Sequence, residues 1–465
     1  MFRSIANTLG NCFKIPELKS RILFTLGLLA VCRLLAVIRI PGLNGAALSE
    51  YFSRQQGAGG GGLLGMYNTF AGGAFEHCAI GSLGIMPYIS ATIIIQLLTA
   101  VVPRLSKLVR EEGGRTKIVQ YGRYLTVLLC IGQGIYFAGN WLHPETVFQG
   151  FKGTLVLTQS HFLYYAVTVT VMTAGTMLLM WLGEQITDRG IGNGVSLVIT
   201  IGILARLPNA VQGAIDMFST HGGTVEAPHN FWTTAPVLLA VMLVVIGGVI
   251  AITQAQRKIP VQYAQRAVGR KMYAGGTSFM PLRVNYAGVM PIIFAQSILM
   301  FPQPVCTWLA NNIKVPFLQE FFRSIAIKIG YGELLYLIIY SAMILFFSYF
   351  WVATQFNEIQ IADDLKKNGG YIPGVRPGQG TSDYLHHAMS RITLAGAIFL
   401  TAIATLPIIL SRKMGIDQNV AQFFGGTSIL IAVGVLLDTM RQVESHLMMR
   451  HYDGFLKKGK IRGRF

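Results

Sequence analysis

Apolar residues in this chain run on in blocks of about 20 with few interruptions, the length that covers a bilayer's hydrocarbon as a helix. Ten such blocks begin near Ile22, Ile80, Tyr124, Phe162, Ile191, Pro236, Ala287, Leu334, Leu394 and Phe423. The first reads as a span and not as a cleaved leader: Arg33 interrupts it, no small-residue cleavage site follows, and a polar lead precedes it. That lead, residues 1–21, carries Arg3, Lys14, Lys19 and Arg21 and suits an amphipathic helix lying on a membrane surface. One apolar stretch, Leu63 to Phe75, is too short to cross. It follows the glycine run Gly57 to Gly62 and ends near Gly72-Gly73. Two readings stand: a re-entrant segment packed in the bundle, or an apolar loop at the outer interface.

Composition agrees with the pattern. Of 465 residues, 52% are hydrophobic and only 12% charged, about half the charge of an average soluble domain. The net charge of +18 would suggest nucleic acid in a soluble protein, so the placement of the cations decides its meaning. Alternate loops, with the N-terminal lead and the tail from Arg441, hold 27 of the 38 Lys and Arg; the opposite loops hold 8. This positive-inside bias puts both termini in the cytoplasm, consistent with an even number of spans. The expected fold is an all-α polytopic membrane protein of two inverted five-helix halves, 22–207 and 208–440. Cytoplasmic loops at about 254–285 and 354–391 and a basic tail, 441–465, complete it. No internal sequence repeat accompanies the proposed inversion.

Enzyme signatures are missing. The sequence has no HExxH, P-loop or GxSxG, and Gly190 to Gly194 lacks the spacing of a nucleotide loop and reads as a tight turn between spans. Cys12, Cys32, Cys78, Cys130 and Cys306 are scattered, and the histidines lack ligand spacing, so neither a disulfide framework nor a metal or cofactor is indicated. An ion-coupled solute transporter of this span count is the competing class, but it needs ionisable groups at mid-membrane. The central parts of the second, sixth, seventh, eighth and ninth spans have none. Arg33 and Asp438, the exceptions, read as snorkelling or paired within the bundle.

Two regions are unusual. Gly84 to Thr92 mixes proline, hydroxyls and β-branched residues, with Ile85 and Ile89 on one helical face, a pattern that serves helix packing or lines a pore. The loop from Gln254 to Arg283 holds six cations and no acid, interleaved with Tyr263 and Tyr273. Lipid headgroups, RNA phosphates or an acidic protein could meet it. Asn368 to Gly380, punctuated by Gly and Pro, should protrude and present Arg376 at its tip.

Together these segments resemble the SecY family, the channel subunit of the protein-conducting translocon. The most specific are Leu83 to Leu98, Trp181 to Val198, Asn285 to Pro291, Ala362 to Gly378 and Phe424 to Ser428. The resemblance covers nearly the whole chain and implies a central hourglass pore in an inner (plasma) membrane. The pore passes unfolded polypeptides, opens sideways for membrane segments, and performs no covalent chemistry. It further implies a pore ring of Ile85, Ile89, Val195, Ile199, Ile293 and Ile431. Aliphatic side chains there would block ions yet yield to a polypeptide. Val195 stands where isoleucine is common in the family. The short segment would be the plug helix, with Leu63, Leu64, Met66, Phe70 and a hinge at Gly72-Gly73. Ser90, Gln133 and Asn285 match a polar lateral gate, Arg270 and Lys271 match ribosome-contacting positions, and Arg376 matches a tip that engages the ribosome or the SecA motor. The implied partners are the SecE and SecG membrane subunits, SecA, ribosomal RNA, signal sequences, nascent polypeptides and the lipid bilayer. The Gly57 to Gly62 insertion and the long outer loop from Gly139 to His161 are not features the family predicts.

Overall fold

The computed structural model describes residues 15–55, 65, 67–68, 70–111, 113–144, 151, 153–158, 160–218, 231–263, 266–268, 271–273, 276–299, 301–313, 315–330, 332–414, 420, 423 and 427–458. By packing, the chain divides into two units, residues 1–229 with 431–465, and residues 230–430.

The first unit carries α1 (Pro16–Leu35), α2 (Gly45–Gln55), α3 (Met86–Val101), α4 (Pro103–Arg110), α5 (Gly114–Leu142), α6 (His161–Arg189), α7 (Gly194–Leu204) and α8 (Leu207–Phe218). The second runs through α9 (Phe231–Gln254), β1 (Gln256–Tyr263), β2 (Arg266–Val268), β3 (Lys271–Tyr273), β4 (Thr277–Arg283), α10 (Met290–Leu299), α11 (Pro302–Asn312), α12 (Pro316–Lys328), α13 (Leu334–Gln355), α14 (Glu358–Lys367), β5 (Gly370–Tyr371) and α15 (Gln379–Met414). The last helix, α16 (Thr427–Lys458), belongs to the first unit from Ile431 onward.

Helix dominates because a bilayer offers the backbone no hydrogen-bond partner, so each apolar block must satisfy its own amides. Among the described residues seven helical stretches are long and apolar enough to cross, and an eighth if α3 and α4 count as one broken span bent by 104°. The break falls at Val102-Pro103, where proline removes an amide donor and starts a new helix at its first position. The expected spans near Ile22 and Phe423 coincide with α1 and α16, whose charges Glu17, Lys19, Arg21 and Arg33, and Asp438, Arg441 and Glu444, set them apart from the purely apolar helices.

The glycine-rich sequence Gly190 to Gly194 is the tight turn its pattern suggested, and side chains hold it from three sides. Ile191 N donates to Thr25 Oγ1 on α1 (3.1 Å), Gly192 N to Gln442 Oε1 on α16 (2.9 Å), and Gly194 N to Thr187 Oγ1 on α6 (2.9 Å). Asn193 caps α7, its Oδ1 accepting from Ser196 N at 3.2 Å. This turn fixes where α7 begins, and therefore where Val195 and Ile199 point. Strands that the span pattern does not announce occupy the long loop of the second unit: β1 pairs with β4 and β5 in an antiparallel sheet of order β4-β1-β5, and β2 pairs with β3.

At Gly194 a side chain cannot fit, because a Cβ would strike the Gly183 carbonyl oxygen of α6 and stand 2.9 Å from Ile186 Cβ. Gly194→Ala should therefore destabilise the first unit by about 1–3 kcal/mol. Thermal unfolding of the detergent-solubilised protein will show a lower midpoint than the parent; an unchanged midpoint would contradict the close α6–α7 packing.

Candidate functional site

Between α2 and α3 the chain does something a simple span cannot. Residues 71–85 are turns, yet nearly all are buried, so their amides must be satisfied locally. The bonds form a ladder of short loops: Ala71 N to Tyr67 O (2.9 Å), Gly73 N to Asn68 O (2.9 Å), Cys78 N to Phe75 O (3.1 Å), Ala79 N to Ala74 O (3.0 Å) and Gly84 N to Gly81 O (2.8 Å). Two more tie the segment to the end of α1 and the residues after it, Gly81 N to Leu35 O (3.0 Å) and Ile80 N to Ile38 O (2.8 Å). Of the two sequence readings of Leu63 to Phe75, the described residues fit the packed segment and not the surface loop: Tyr67, Phe70, Ala71, Ala74 and Phe75 are all buried. Leu63, Leu64 and Met66 lie outside the described residues.

Gly72 and Gly73 take φ of 66° and 85°, a region that glycine enters without strain. At Gly72 the requirement is also one of space, since a Cβ would lie 2.9 Å from the Cα of Gly202 on α7. One turn earlier in the fold, Ala71 Cα stands 3.2 Å from where a Cβ on Gly84 would be. The segment is thus wedged between the start of α3 and the end of α7. A cavity of about 20 Å³, lined by Phe70, Ala71, Gly84, Ile85, Val198 and Gly202 among others, leaves room for about one water. Beyond it Phe75 sits in an aromatic nest, its ring centroid 5.5 Å from Tyr67, 5.1 Å from Phe137 and 5.5 Å from Trp141, separations typical of edge-to-face and tilted pairs.

Of the charges here, sequence reasoning singled out Arg33 but not Glu76 or Arg206. Glu76 Oε2 accepts from Arg206 Nη2 and from Asn68 Nδ2, each at 2.6 Å, while Glu76 N donates to Asn68 Oδ1 at 3.2 Å. Arg33 Nη1 donates to the Gly72 carbonyl at 3.0 Å, so Arg33 is paired within the unit, one of the two roles expected of it. A lone acid and a lone base in apolar surroundings were the available signal, because each demands a partner when buried.

Of the expected ring residues, Ile85 precedes α3 and Ile89 lies in its first turn, four residues on and therefore on the same face. Val195 and Ile199 bear the same relation on α7. Ile431 is buried on α16 in the first unit, and Ile293 is buried on α10 in the second. Ser90 and Gln133 lie on α3 and α5; Ser90 Oγ and Gln133 Oε1 are buried without a hydrogen-bond partner among the described residues. Asn285, in the second unit, donates from Nδ2 to the Gly288 carbonyl at 3.1 Å.

The second unit supplies a separate surface. Strands β1 and β4 pair from Gln256↔Arg283 to Gln262↔Thr277, and β5 adds Gln262↔Tyr371 and Tyr263↔Gly370. The two basic loops are therefore one sheet. Ile259, Leu282, Ile372, Phe356, Leu385 and Met389 bury a core beneath it, which leaves Arg257, Lys258, Arg283 and Arg376 exposed. The turn at Arg376 is braced by Thr381 Oγ1, which donates to its carbonyl at 3.0 Å. Arg270 lies outside the described residues, and Lys271 opens β3, paired with Val268, the last residue of β2.

Comparison with known proteins agrees with this architecture. The SecY family model matches residues 79–440. The protein translocase subunit SecY of Chlamydia muridarum is 44% identical over 98% of this chain and 99% of its own length. Its counterpart in Thermotoga maritima is 42% identical over 98% of each. Among solved structures, a protein-conducting channel aligns with a TM-score of 0.57 at 19% identity over 91% of each chain, and Sec61 from a canine ribosome–channel complex with 0.54 at 17% over the same shares. The structural likeness shows the fold. With the family model matched over most of the chain and relatives alike from end to end, the chain belongs to the SecY family.

Proposed function

We propose that this multi-pass membrane protein is the polypeptide-conducting subunit of a Sec-type translocase in an inner membrane, with both termini cytoplasmic. The observation that carries the reading is the largely buried segment 70–84, wedged between the start of α3, with Ile85 and Ile89, and the helix that bears Val195 and Ile199. A segment packed there acts as a plug beneath an aliphatic ring. By resemblance to the family the ring also includes Ile293 and Ile431. Aliphatic side chains exclude water and ions by dewetting, and they have no fixed hydrogen bonds to break when an extended chain pushes through.

By the same resemblance, Ser90 on α3, Gln133 on α5 and Asn285 belong to a polar lateral gate. Ser90 and Gln133 support it: polar atoms buried without partners hold a seam weakly, so an apolar signal sequence can replace them by partitioning toward lipid. No nucleotide-binding motif occurs in the sequence, so the work of transport comes from SecA, a translating ribosome or the membrane potential. The sheet that joins the two basic loops suits docking, since a rigid platform presents its cations at little entropic cost. SecE and SecG are the expected membrane partners. The competing ion-coupled transporter finds no support among the relatives.

Two measurements test the reading. Replacing Ile85, Ile89, Ile199, Ile293 and Ile431 with Ser should raise resting ion conductance in planar bilayers well above that of the parent; bilayers that stay tight would remove the ring assignment. Reversal of charge at the platform tip, Arg376→Glu, should cut motor-driven export into vesicles by about tenfold or more, the scale of losing one charge-assisted contact, with assembly intact. Export at the parental rate would deny the tip its docking role.

A further inference from the structure

The plug reading leaves open what keeps the plug seated, because aromatic and aliphatic packing alone would hold it wherever it finds apolar surface. The polar contacts are different in kind. Glu76 lies within the turn-rich segment, whereas Arg206 lies at the junction of α7 and α8, 130 residues away. The Glu76 side chain is only 10% exposed and that of Arg206 15%. Asn68 clamps the carboxylate from within the segment, accepting from the Glu76 amide while donating to Glu76 Oε2, so the acid is presented to Arg206 in one orientation. His77 Nε2 stands 3.6 Å from Glu76 Oε1, at the exposed side of the same group. On the opposite flank Arg33 of α1 donates to the Gly72 carbonyl.

The segment is therefore fastened at two points, to α1 and to the α7–α8 junction, and both fastenings break if it moves away as a unit. Packing can slide, but a buried ion pair cannot be stretched gradually. Separating it leaves a carboxylate and a guanidinium without compensation until water reaches them. Such a contact produces a threshold, not a gradient.

On the plug reading, we propose that Glu76 and Arg206 form the latch that fixes the plug in its resting seat, with Arg33 on the Gly72 carbonyl as its second point. Opening requires this pair to part. The two residues are positioning residues: they touch no translocating chain in the resting state, and they set how often the plug leaves.

The test uses the full chain reconstituted with its membrane subunits, native cysteines replaced by serine, and Phe70→Cys as reporter. A charged maleimide that cannot cross lipid is present on both faces, and labelling rates are compared at rest and with a stalled secretory chain in the pore. The latch predicts slow labelling of the parent at rest and fast labelling with the stalled chain. It further predicts that Glu76→Gln or Arg206→Gln speeds resting labelling at least about tenfold, as expected from losing a charged hydrogen bond. The double variant should label no faster than either single one, because the same pair is lost once. Arg206→Lys, which keeps a cation, should stay near the parent. If the single variants label as slowly as the parent while the stalled chain still accelerates labelling, the latch is wrong and the plug stands. Additive effects in the double variant, or Arg206→Lys labelling as fast as Arg206→Gln, would likewise overturn the pairing. Equal labelling of the parent at rest and with the stalled chain would overturn the plug reading and the latch with it.

Discussion

Non-helical backbone can be buried in a membrane protein only where each amide and carbonyl finds a partner within the protein. In this chain that constraint falls hardest on residues 71–85. They meet it with a run of tight-turn hydrogen bonds and two anchors to Leu35 and Ile38 at the end of α1. Much of the first unit follows. Gly72 and Gly202 must be small for the segment to approach α7, and Gly84 must be small for α3 to start beside Ala71. Arg33 can be spent on a carbonyl because the segment exposes one. A single span through this region would need none of these features.

The charge of the molecule is sorted by the same logic. At the candidate pore the side chains are aliphatic, and the buried charges nearby are consumed in pairs. On the sheet of the second unit the cations point outward over an apolar core, where they cost little to hydrate and remain available to an anionic partner. On the proposed reading the net charge of +18 serves two purposes: it orients the spans, and it equips one rigid surface.

Much of the fold was legible because its signal is long-range in sequence and simple in physics. Apolar blocks near Tyr124, Phe162, Pro236 and Leu334 became α5, α6, α9 and α13, since nothing but helix satisfies such blocks in lipid. The Gly190 to Gly194 turn was legible from its glycines, whereas the length of the segment before α3 showed only that it could not span and left the packed and surface readings open. The sheet was not legible. Pairing of Tyr263 with Gly370 joins two loops more than a hundred residues apart, and two-residue strands carry no periodicity. The Glu76–Arg206 pair escaped for the same reason, although each partner alone announced a need. Likewise the long outer loop that followed no family pattern returns to the first unit: Leu157 N donates to Gly42 O and Asn44 N to Leu155 O. Its register depends on contact, which single-sequence patterns do not encode.

The central claim is that this chain conducts polypeptide past the side chains proposed for its aliphatic ring, among them Ile89, Ile199 and Ile293. Site-specific photo-crosslinking tests it most directly. A secretory precursor stalled halfway by a folded C-terminal domain, in vesicles bearing the reconstituted complex, is predicted to crosslink strongly to probes at Ile89, Ile199 and Ile293. It should crosslink weakly to a probe at the exposed Leu128 of α5. Crosslinks confined to Leu128 and similar outward positions, with none at the three isoleucines, would contradict the account.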